Sequence, residues 1–320
     1  MKALLQPARF LAPFAVAAAS GTFLAAAGAV NPYWIQIFQL ACITAVSALG
    51  LNVIYGFTGL FSLGHAAFYG IGAYTAAFLM KSYGGDSQLF FLASLLAGGA
   101  GAALVAWLVG LPALRLTSDY LGIATLGFGI IMKVLFDNAD SFLPQLGGAR
   151  GMTGIAKMTG FAWAVMFLGV SLLAVRNLIH SSYGRALLSI REDEVAAGSM
   201  GIDTFRYKMA GFVIGCSFAG LAGGLYAHLY VFLHPSNFDF FKSVDVLIIV
   251  VLGGLGNMSG TLIASFGWIF LLEGLRVILP PGYIELRWVL IPVLLIVTML
   301  QRPQGLFGIR EFPLLRGDPE

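Results

Sequence analysis

The chain has 320 residues, of which 59% are hydrophobic and only 10% are Asp, Glu, Lys or Arg. Soluble domains carry about 25% charged residues, so this composition excludes a soluble globular protein and predicts a membrane protein whose apolar side chains face lipid. The net charge of +3 is too small to indicate a nucleic-acid-binding protein.

Apolar segments of about 20 residues, the length that crosses a bilayer, recur along the chain and predict an all-α, polytopic bundle of transmembrane helices within one domain, residues 1–320. The first segment also resembles a secretory signal peptide. Its apolar run exceeds the signal core of roughly 7–15 residues, which favours a retained span. The polar stretch 137–159 is predicted to leave the membrane. The candidate spans are Phe10–Val30, Ile35–Ile54, Leu60–Met80, Leu89–Leu111, Tyr120–Phe136, Phe161–Ile179, Met209–Leu233 and Leu286–Leu300.

A further apolar segment, Val246–Leu272, is longer than one crossing needs and is interrupted at Gly253–Asn257 by three glycines. Because glycine weakens a helix interior, the segment is predicted to be broken or re-entrant. A short first piece is followed by a break and then by a full span. The bundle then has nine or ten crossings, and ten would place Arg310 in the cytoplasm. The Lys and Arg residues of the loops do not decide between these counts, but both counts place Ser181–Lys208 in the cytoplasm.

A second interruption is predicted at Gly56–Gly64, just before His65, where three glycines and several hydroxyl groups precede the third span. Interrupted backbone inside a membrane is tolerated only where it is buried in protein or lines a watery cavity. His65 is therefore a candidate lining residue of a translocation pathway, and Asn52, Thr125 and Asn257 are weaker candidates on the same grounds. The alternative for all four is a polar side chain that hydrogen-bonds between packed helices.

The seventh span carries a small residue at every fourth position, which places these residues on one helix face. Such a stripe lets another backbone approach closely. We therefore expect close helix packing here and not a ligand site. The residues are Gly211, Gly215, Ala219, Gly223 and Ala227.

No signature of a soluble enzyme occurs in the sequence. It lacks the Gly-Lys-Ser/Thr of a P-loop, so ATP hydrolysis by this chain is not expected. Its four histidines are scattered, and Cys42 and Cys216 lie within apolar segments, so neither a metal site nor a disulfide is predicted. We expect the chain itself to bind no cofactor.

The most informative polar region is the loop 180–208, which the family resemblance described below implies is a coupling loop. Its acids Glu192, Asp193 and Glu194 are predicted to start a short helix, because acids at a helix start favour the helix dipole. Gly201 is predicted to end that helix in a left-handed conformation. Asp203 or Thr204 is then placed to cap the seventh span.

A short helix of small and apolar residues on a loop suits docking into a groove of a partner protein. Arg185, Ala196 and Ala197 belong to this candidate surface, and we expect Ala197 to face the partner. On spacing alone, an ordinary solvated loop is the favoured interpretation.

Several motifs resemble one transporter family. Glu194-x-Ala196-Ala197-x3-Gly201 is similar to the EAA–G coupling motif of importer-type ABC permeases, and Arg185–Tyr207 is similar to the coupling loop of the branched-chain amino acid permease family, within it to the LivM type of subunit. One departure is Ile130, where the family often has an acid. The other matching motifs are Gly50–Gly59, Ser62–Phe68, Gly70–Tyr74, Tyr120–Gly129, Val251–Gly256 and Arg302–Leu306.

The resemblance implies a permease subunit of an ABC importer in the bacterial inner membrane. Its expected partners are a second, LivH-type permease subunit, two cytoplasmic ATPases that bind the coupling loops and use ATP and Mg²⁺, and a periplasmic solute-binding protein. The solute would be leucine, isoleucine, valine or a similar small polar molecule such as urea, an amide or an aromatic acid. A stand-alone secondary transporter or channel is the alternative, although it would need buried ionisable residues. A membrane enzyme would need a reactive cluster that the sequence lacks.

Overall fold

The computed structural model describes residues 2–26, 31–85, 87–116, 118–278 and 287–302, together with residues 304–306, 308, 311, 312 and 315 of the tail. These residues form twelve α-helices and no sheet. The helices are α1 (Lys2–Ala26), α2 (Pro32–Leu51), α3 (His65–Leu79), α4 (Gln88–Ala113), α5 (Ser118–Asp137), α6 (Phe161–His180), α7 (Ser182–Glu192), α8 (Glu194–Ser199), α9 (Thr204–Tyr230), α10 (Phe240–Gly253), α11 (Met258–Ile278) and α12 (Arg287–Gln301).

By length and composition alone, six helices of the described residues can cross a membrane. They are α4, α6 and α9, α2 with the π-helical turn Asn52–Phe57 that extends it, and nearly all of α5 and α11. The all-α polytopic bundle expected from the sequence is therefore confirmed. Whether the shorter helices α3, α10 and α12 also cross the membrane is decided by the positions of their two ends.

The contacts define two ends of the bundle. The loop end contains residues 181–208. Here Arg191 contacts Gly56 after α2, and the Arg115 guanidinium lies 5.9 Å from the ring centroid of Phe205 at the start of α9. The opposite end contains residues 138–160, where the Lys81 ammonium donates to the carbonyl of Thr153 over 2.8 Å.

Successive long helices alternate between these ends. Helix α1 runs away from the loop end, because Phe10 lies beside Arg176 near the end of α6, whereas Gly21 lies against Phe161 at its start. Helix α10 begins beyond the opposite end of α9 and finishes beside Asn52 at the loop end. Within the described residues, ten helices, α1–α6 and α9–α12, pass between the two ends. The contacts therefore favour ten crossings over nine.

Two pairs of these helices are joined through non-helical breaks at the loop end. Residues 58–64 separate the extended α2 from α3, and residues 254–257 separate α10 from α11. Both interruptions predicted from glycine clusters are therefore confirmed. The third span starts at His65, later than predicted, because residues 59–64 are not helical.

Helix α9 is the packing centre of the bundle and contacts α2, α3 and α4. Its small-residue stripe carries the close contacts with α2 and α3, as predicted, whereas Gly220, Leu221 and Gly224 contact α4. A side chain on Gly215 would strike the backbone of Gly50 in α2, and one on Gly223 would strike the backbone of Tyr69 in α3. The helix spans Thr204–Tyr230 instead of the predicted 209–233, because Asp203 caps its start and Val231 adopts a left-handed conformation at its end.

The ten passages predict which positions reagents can reach. Single cysteines replacing Arg185 and Arg302 lie at the loop end, and one replacing Asp140 lies at the opposite end; all three positions are exposed. A membrane-impermeant maleimide added to intact cells should label position 140 only, and permeabilised cells should label all three. Labelling at 302 without labelling at 185 would contradict ten crossings. Cys42 and Cys216 are fully buried and should give a low background. Arg310, which the sequence places in the cytoplasm, lies outside the described residues.

Candidate functional site

The candidate coupling loop folds into two helices, α7 and α8, where the sequence predicted one. They are separated by Asp193 alone, which is extended at φ −156° and whose carboxylate accepts hydrogen bonds from the amides of Val195 (2.9 Å) and Ala196 (3.0 Å). This is an N-cap, which satisfies amide groups left free at a helix start. The prediction that Glu192 helps to start α8 is wrong, since Glu192 is the last residue of α7.

The end of α8 agrees with the prediction. Gly201 has φ +86°, a left-handed conformation that residues with a Cβ resist. The turn lets the amide of Ile202 reach back to the carbonyl of Ala197 over 3.2 Å. Asp203 then caps α9 by accepting from the amide of Arg206 over 3.2 Å. The six residues of α8 are therefore fixed at both ends, with a glycine in the turn that brings the chain back to the bundle.

The surface of α8 differs from the one expected. Val195 and Met200 are 79% and 84% exposed, whereas Ala197 is only 5% exposed. The expectation that Ala197 faces a partner is wrong, because the turn at Gly201 folds the chain over that side of α8. An ion pair between Glu194 and Lys208 of α9 holds the helix in this orientation. The apolar groups that α8 presents to its surroundings are therefore Val195 and Met200.

The other residues predicted for coupling lie at the edge of this surface. Ala196 is exposed beside Val195. Glu192 pairs with its neighbour Arg191. Arg185 lies further away, on the first turn of α7, and donates to the hydroxyl of Ser182 over 3.1 Å. The assignment of all these residues to coupling stays a prediction.

The residues proposed to line a pathway all lie at the two helix breaks. Asn52 joins one break to the other. Its side-chain oxygen accepts from the amide of Gly256 over 3.0 Å, and its side-chain nitrogen donates to the carbonyl of Asn257 (3.2 Å) and the hydroxyl of Thr261 (3.0 Å). Gly56 allows this approach, because a Cβ at that position would lie 2.5 Å from the amide nitrogen of Gly256.

His65 and Thr125 fix the first break to its neighbours. The Nε2 atom of His65 lies 2.9 Å from the carbonyl oxygen of Ser47 in α2, and the hydroxyl of Thr125 in α5 accepts from the amide of Leu63 over 3.0 Å. Both side chains are at most 1% exposed. These contacts favour the alternative of interhelical hydrogen bonding, and a pathway role for the two residues stays a prediction.

Asn257 and the tail complete the second break. The side chain of Asn257 accepts from the amide of Gly260 (2.7 Å) and donates to the carbonyl of Gly308 (2.8 Å). The Glu311 carboxylate accepts from the amide of Met258, the first residue of α11, over 3.0 Å. Burial raises the pKa of the Glu311 carboxyl, and this hydrogen bond acts in the opposite direction. A carboxylate at this position complements the positive end of the helix dipole.

One residue of the site was missed by the sequence analysis. Arg191, in the last turn of α7, donates from Nη1 to the carbonyl of Gly56 over 2.7 Å. The sequence contains only a weak signal for this contact, namely that cations favour the C-terminal end of a helix. Nothing in a single sequence indicates that the helix end concerned belongs to a segment 135 residues earlier.

Side chains that could bind a metal ion are few among the described residues. Across the described residues, no group of three or more His, Cys, Asp or Glu side chains is arranged to hold a metal ion. Cys42 and Cys216 are free and buried, in agreement with their assignment as core residues.

Comparisons with known proteins identify similar chains. Residues 33–299 match the family model described as "Branched-chain amino acid transport system / permease component". The chain is 34% identical to the high-affinity branched-chain amino acid transport system permease protein LivM of Escherichia coli, over 93% of this chain and 74% of the relative. It is 28% identical to the LivH permease protein of Salmonella typhimurium, over 82% of this chain and 91% of the relative. No solved structure matches the chain.

The junction between the two breaks predicts the effect of replacing Asn52. Asn52→Leu keeps the approximate volume but leaves the amide of Gly256 without its acceptor, which should cost about 1–3 kcal/mol of unfolding free energy. Thr261→Val is the matched control, because it removes a hydroxyl from the same junction and keeps the bond from Gly256 to Asn52. The control should lose about 0.5–1.5 kcal/mol. Thermal unfolding of the purified protein in detergent measures both, and equal melting temperatures would contradict the assignment.

Proposed function

Because the chain belongs to the branched-chain amino acid transport permease family, we propose that it is the permease subunit of an ATP-driven importer that moves branched-chain amino acids, or a similar small polar solute, across the bacterial inner membrane. Its activity is transport, and ATP is hydrolysed by separate subunits. The observation that carries the coupling part of this proposal is helix α8, capped at Asp193 and turned at Gly201, with Val195 and Met200 exposed at the loop end.

Two cytoplasmic ATPases are the proposed source of energy. The sequence has no P-loop, so a conformational change driven by ATP must reach this chain through a contact. Large apolar side chains that are almost wholly exposed on a polar loop are typical of an interaction surface. Helix α8 is short enough to enter a groove on a partner. Its ion pair to α9 connects it to the bundle, so a displacement of α8 also displaces the start of α9.

A second permease subunit of the LivH type is the proposed partner within the membrane. The chain is similar to relatives named LivM and to relatives named LivH, which supports a pair of related subunits around one pathway. A periplasmic solute-binding protein is proposed to deliver the solute at the opposite end, where residues 138–160 form the longest connection outside the helices.

The alternative of a stand-alone secondary transporter is less well supported. Ion-coupled transport uses ionisable side chains inside the bundle. Among the described residues, the fully buried polar side chains are Asn, Gln, Ser, Thr and His, and no Asp, Glu, Lys or Arg is among them.

Charge placed on the exposed surface of α8 tests ATPase docking. Val195→Asp and Met200→Asp should each weaken binding of the ATPase subunits to the tagged permease about thirtyfold, and so reduce their recovery with it, because a desolvated apolar contact of a binding hot spot is worth about 2 kcal/mol. Phe142→Asp is the matched control, since Phe142 is 73% exposed but lies at the opposite end. Full recovery and full leucine uptake in both α8 variants would contradict docking through α8.

The left-handed turn after α8 gives a second test. A Cβ on Gly201 would meet open space, so a substitution acts only through the backbone conformation. Gly201→Val should destabilise the turn by about 1–2 kcal/mol, whereas Gly201→Asn, which tolerates this conformation, should be close to wild type. ATPase recovery and leucine uptake in vesicles, measured at equal membrane insertion, should fall for Val only. Identical behaviour of the two variants would show that the turn does not govern coupling.

A further inference from the structure

The side chain of Arg191 extends from the coupling loop to the first helix break. Its Nη1 atom donates to the carbonyl of Gly56 over 2.7 Å, and its Nε and Nη2 atoms contact the carboxylate of Glu192. Glu192 stands directly before Asp193, the residue that caps α8. One guanidinium therefore connects the end of α7, one residue before the cap of α8, to the end of the extended α2.

The carbonyl that Arg191 reaches belongs to a helix end. The carbonyls of Val53, Ile54 and Tyr55 accept from the amides of residues 58–60, whereas the guanidinium supplies a donor to Gly56. A cation is favoured there because the C-terminal end of a helix carries partial negative charge. Hydrogen bonds that involve a charged donor are stronger than neutral ones, so this contact can transmit displacement of the loop.

The second break lies against the same guanidinium. A Cβ placed on Gly256 would lie 2.8 Å from Arg191 Nη1 and 3.2 Å from the carbonyl oxygen of Gly56. Asn52 already bonds the two breaks together. Displacement of Arg191 would therefore act on both breaks, where the α2–α3 and α10–α11 helix pairs lack continuous helical hydrogen bonding.

The surroundings leave space for such a movement. A cavity of about 450 Å³ adjoins the guanidinium and separates the coupling loop from the end of α4. It is lined in part by Thr58, Arg115, Glu194 and Lys208. The side chain of Arg191 is 33% exposed, which is consistent with its position at the edge of this cavity.

We propose that Arg191 is the positioning residue that transmits movement of the coupling loop to the two helix breaks, an inference that rests on the proposed function. A displacement of α8 by an ATPase moves the end of α7, from which it is separated by Asp193 alone. The guanidinium carries that displacement to Gly56, and Asn52 carries it to Gly256. Rearrangement of the two breaks changes the direction of α3 and α11 and thereby switches the pathway.

The test uses the complete transporter, co-expressed with its ATPase subunits and binding protein and reconstituted in proteoliposomes. Arg191→Met keeps much of the side-chain length and removes the charge and the donors. It should assemble fully and hydrolyse ATP at a rate near wild type, while leucine uptake per ATP hydrolysed falls about tenfold or more. Arg191→Lys keeps the charge and a donor group and should recover part of the uptake.

Arg206→Met is the matched control, because Arg206 lies at the same end of the bundle and its side chain, which is 83% exposed, pairs with Asp203 three residues earlier. It should transport leucine like wild type. Unchanged uptake per ATP in Arg191→Met would overturn the inference. A loss of assembly in both Arg191 variants would also overturn it, because the residue would then serve folding alone.

The same experiment separates this inference from the proposed function. A wild-type complex from which no ATPase is recovered would overturn the proposed function, and the role of Arg191 with it. A wild-type complex that transports leucine beside an Arg191→Met complex with unaltered coupling would overturn the inference alone.

Discussion

The structure depends on one constraint, which is that peptide groups released where a helix breaks inside an apolar bundle must find new partners. Two breaks occur at the loop end, and each is satisfied by side chains from elsewhere in the chain. Asn52, from the turn that precedes the first break, serves the second break, Thr125 supports the first, and the tail also supports the second. Because the Asn52 side chain bonds the turn before the first break to the second break, neither break can rearrange without consequences for the other.

This constraint also explains why the polar groups of the core are mostly amides and hydroxyls. Such side chains can donate or accept without the desolvation cost of a buried charge. The charged residues around the breaks, Arg191 and Glu311, approach from the loop and from the tail, where part of each side chain reaches water.

Patterns local in the sequence predicted local structure well. Glycine clusters identified both breaks, Gly201 identified the end of α8, and the stripe on α9 identified its packing. Patterns that depend on distant residues could not be predicted in this way. The bond between Asn52 and Asn257 joins positions 205 apart, and apolar segments contain no information about which helix lies beside which. The direction of Ala197 was also wrong, because six residues are too few for an amphipathic period to show which side faces inwards.

The contacts of the tail have a consequence for biosynthesis. The second break obtains the carbonyl of Gly308 and the carboxylate of Glu311 from residues that the ribosome makes about 50 residues after Met258. Helices α10 and α11 therefore enter the membrane before their junction is complete, and they must wait for the last part of the chain. A nascent chain stopped short of these residues would leave the amide of Met258, at the start of α11, without its carboxylate partner.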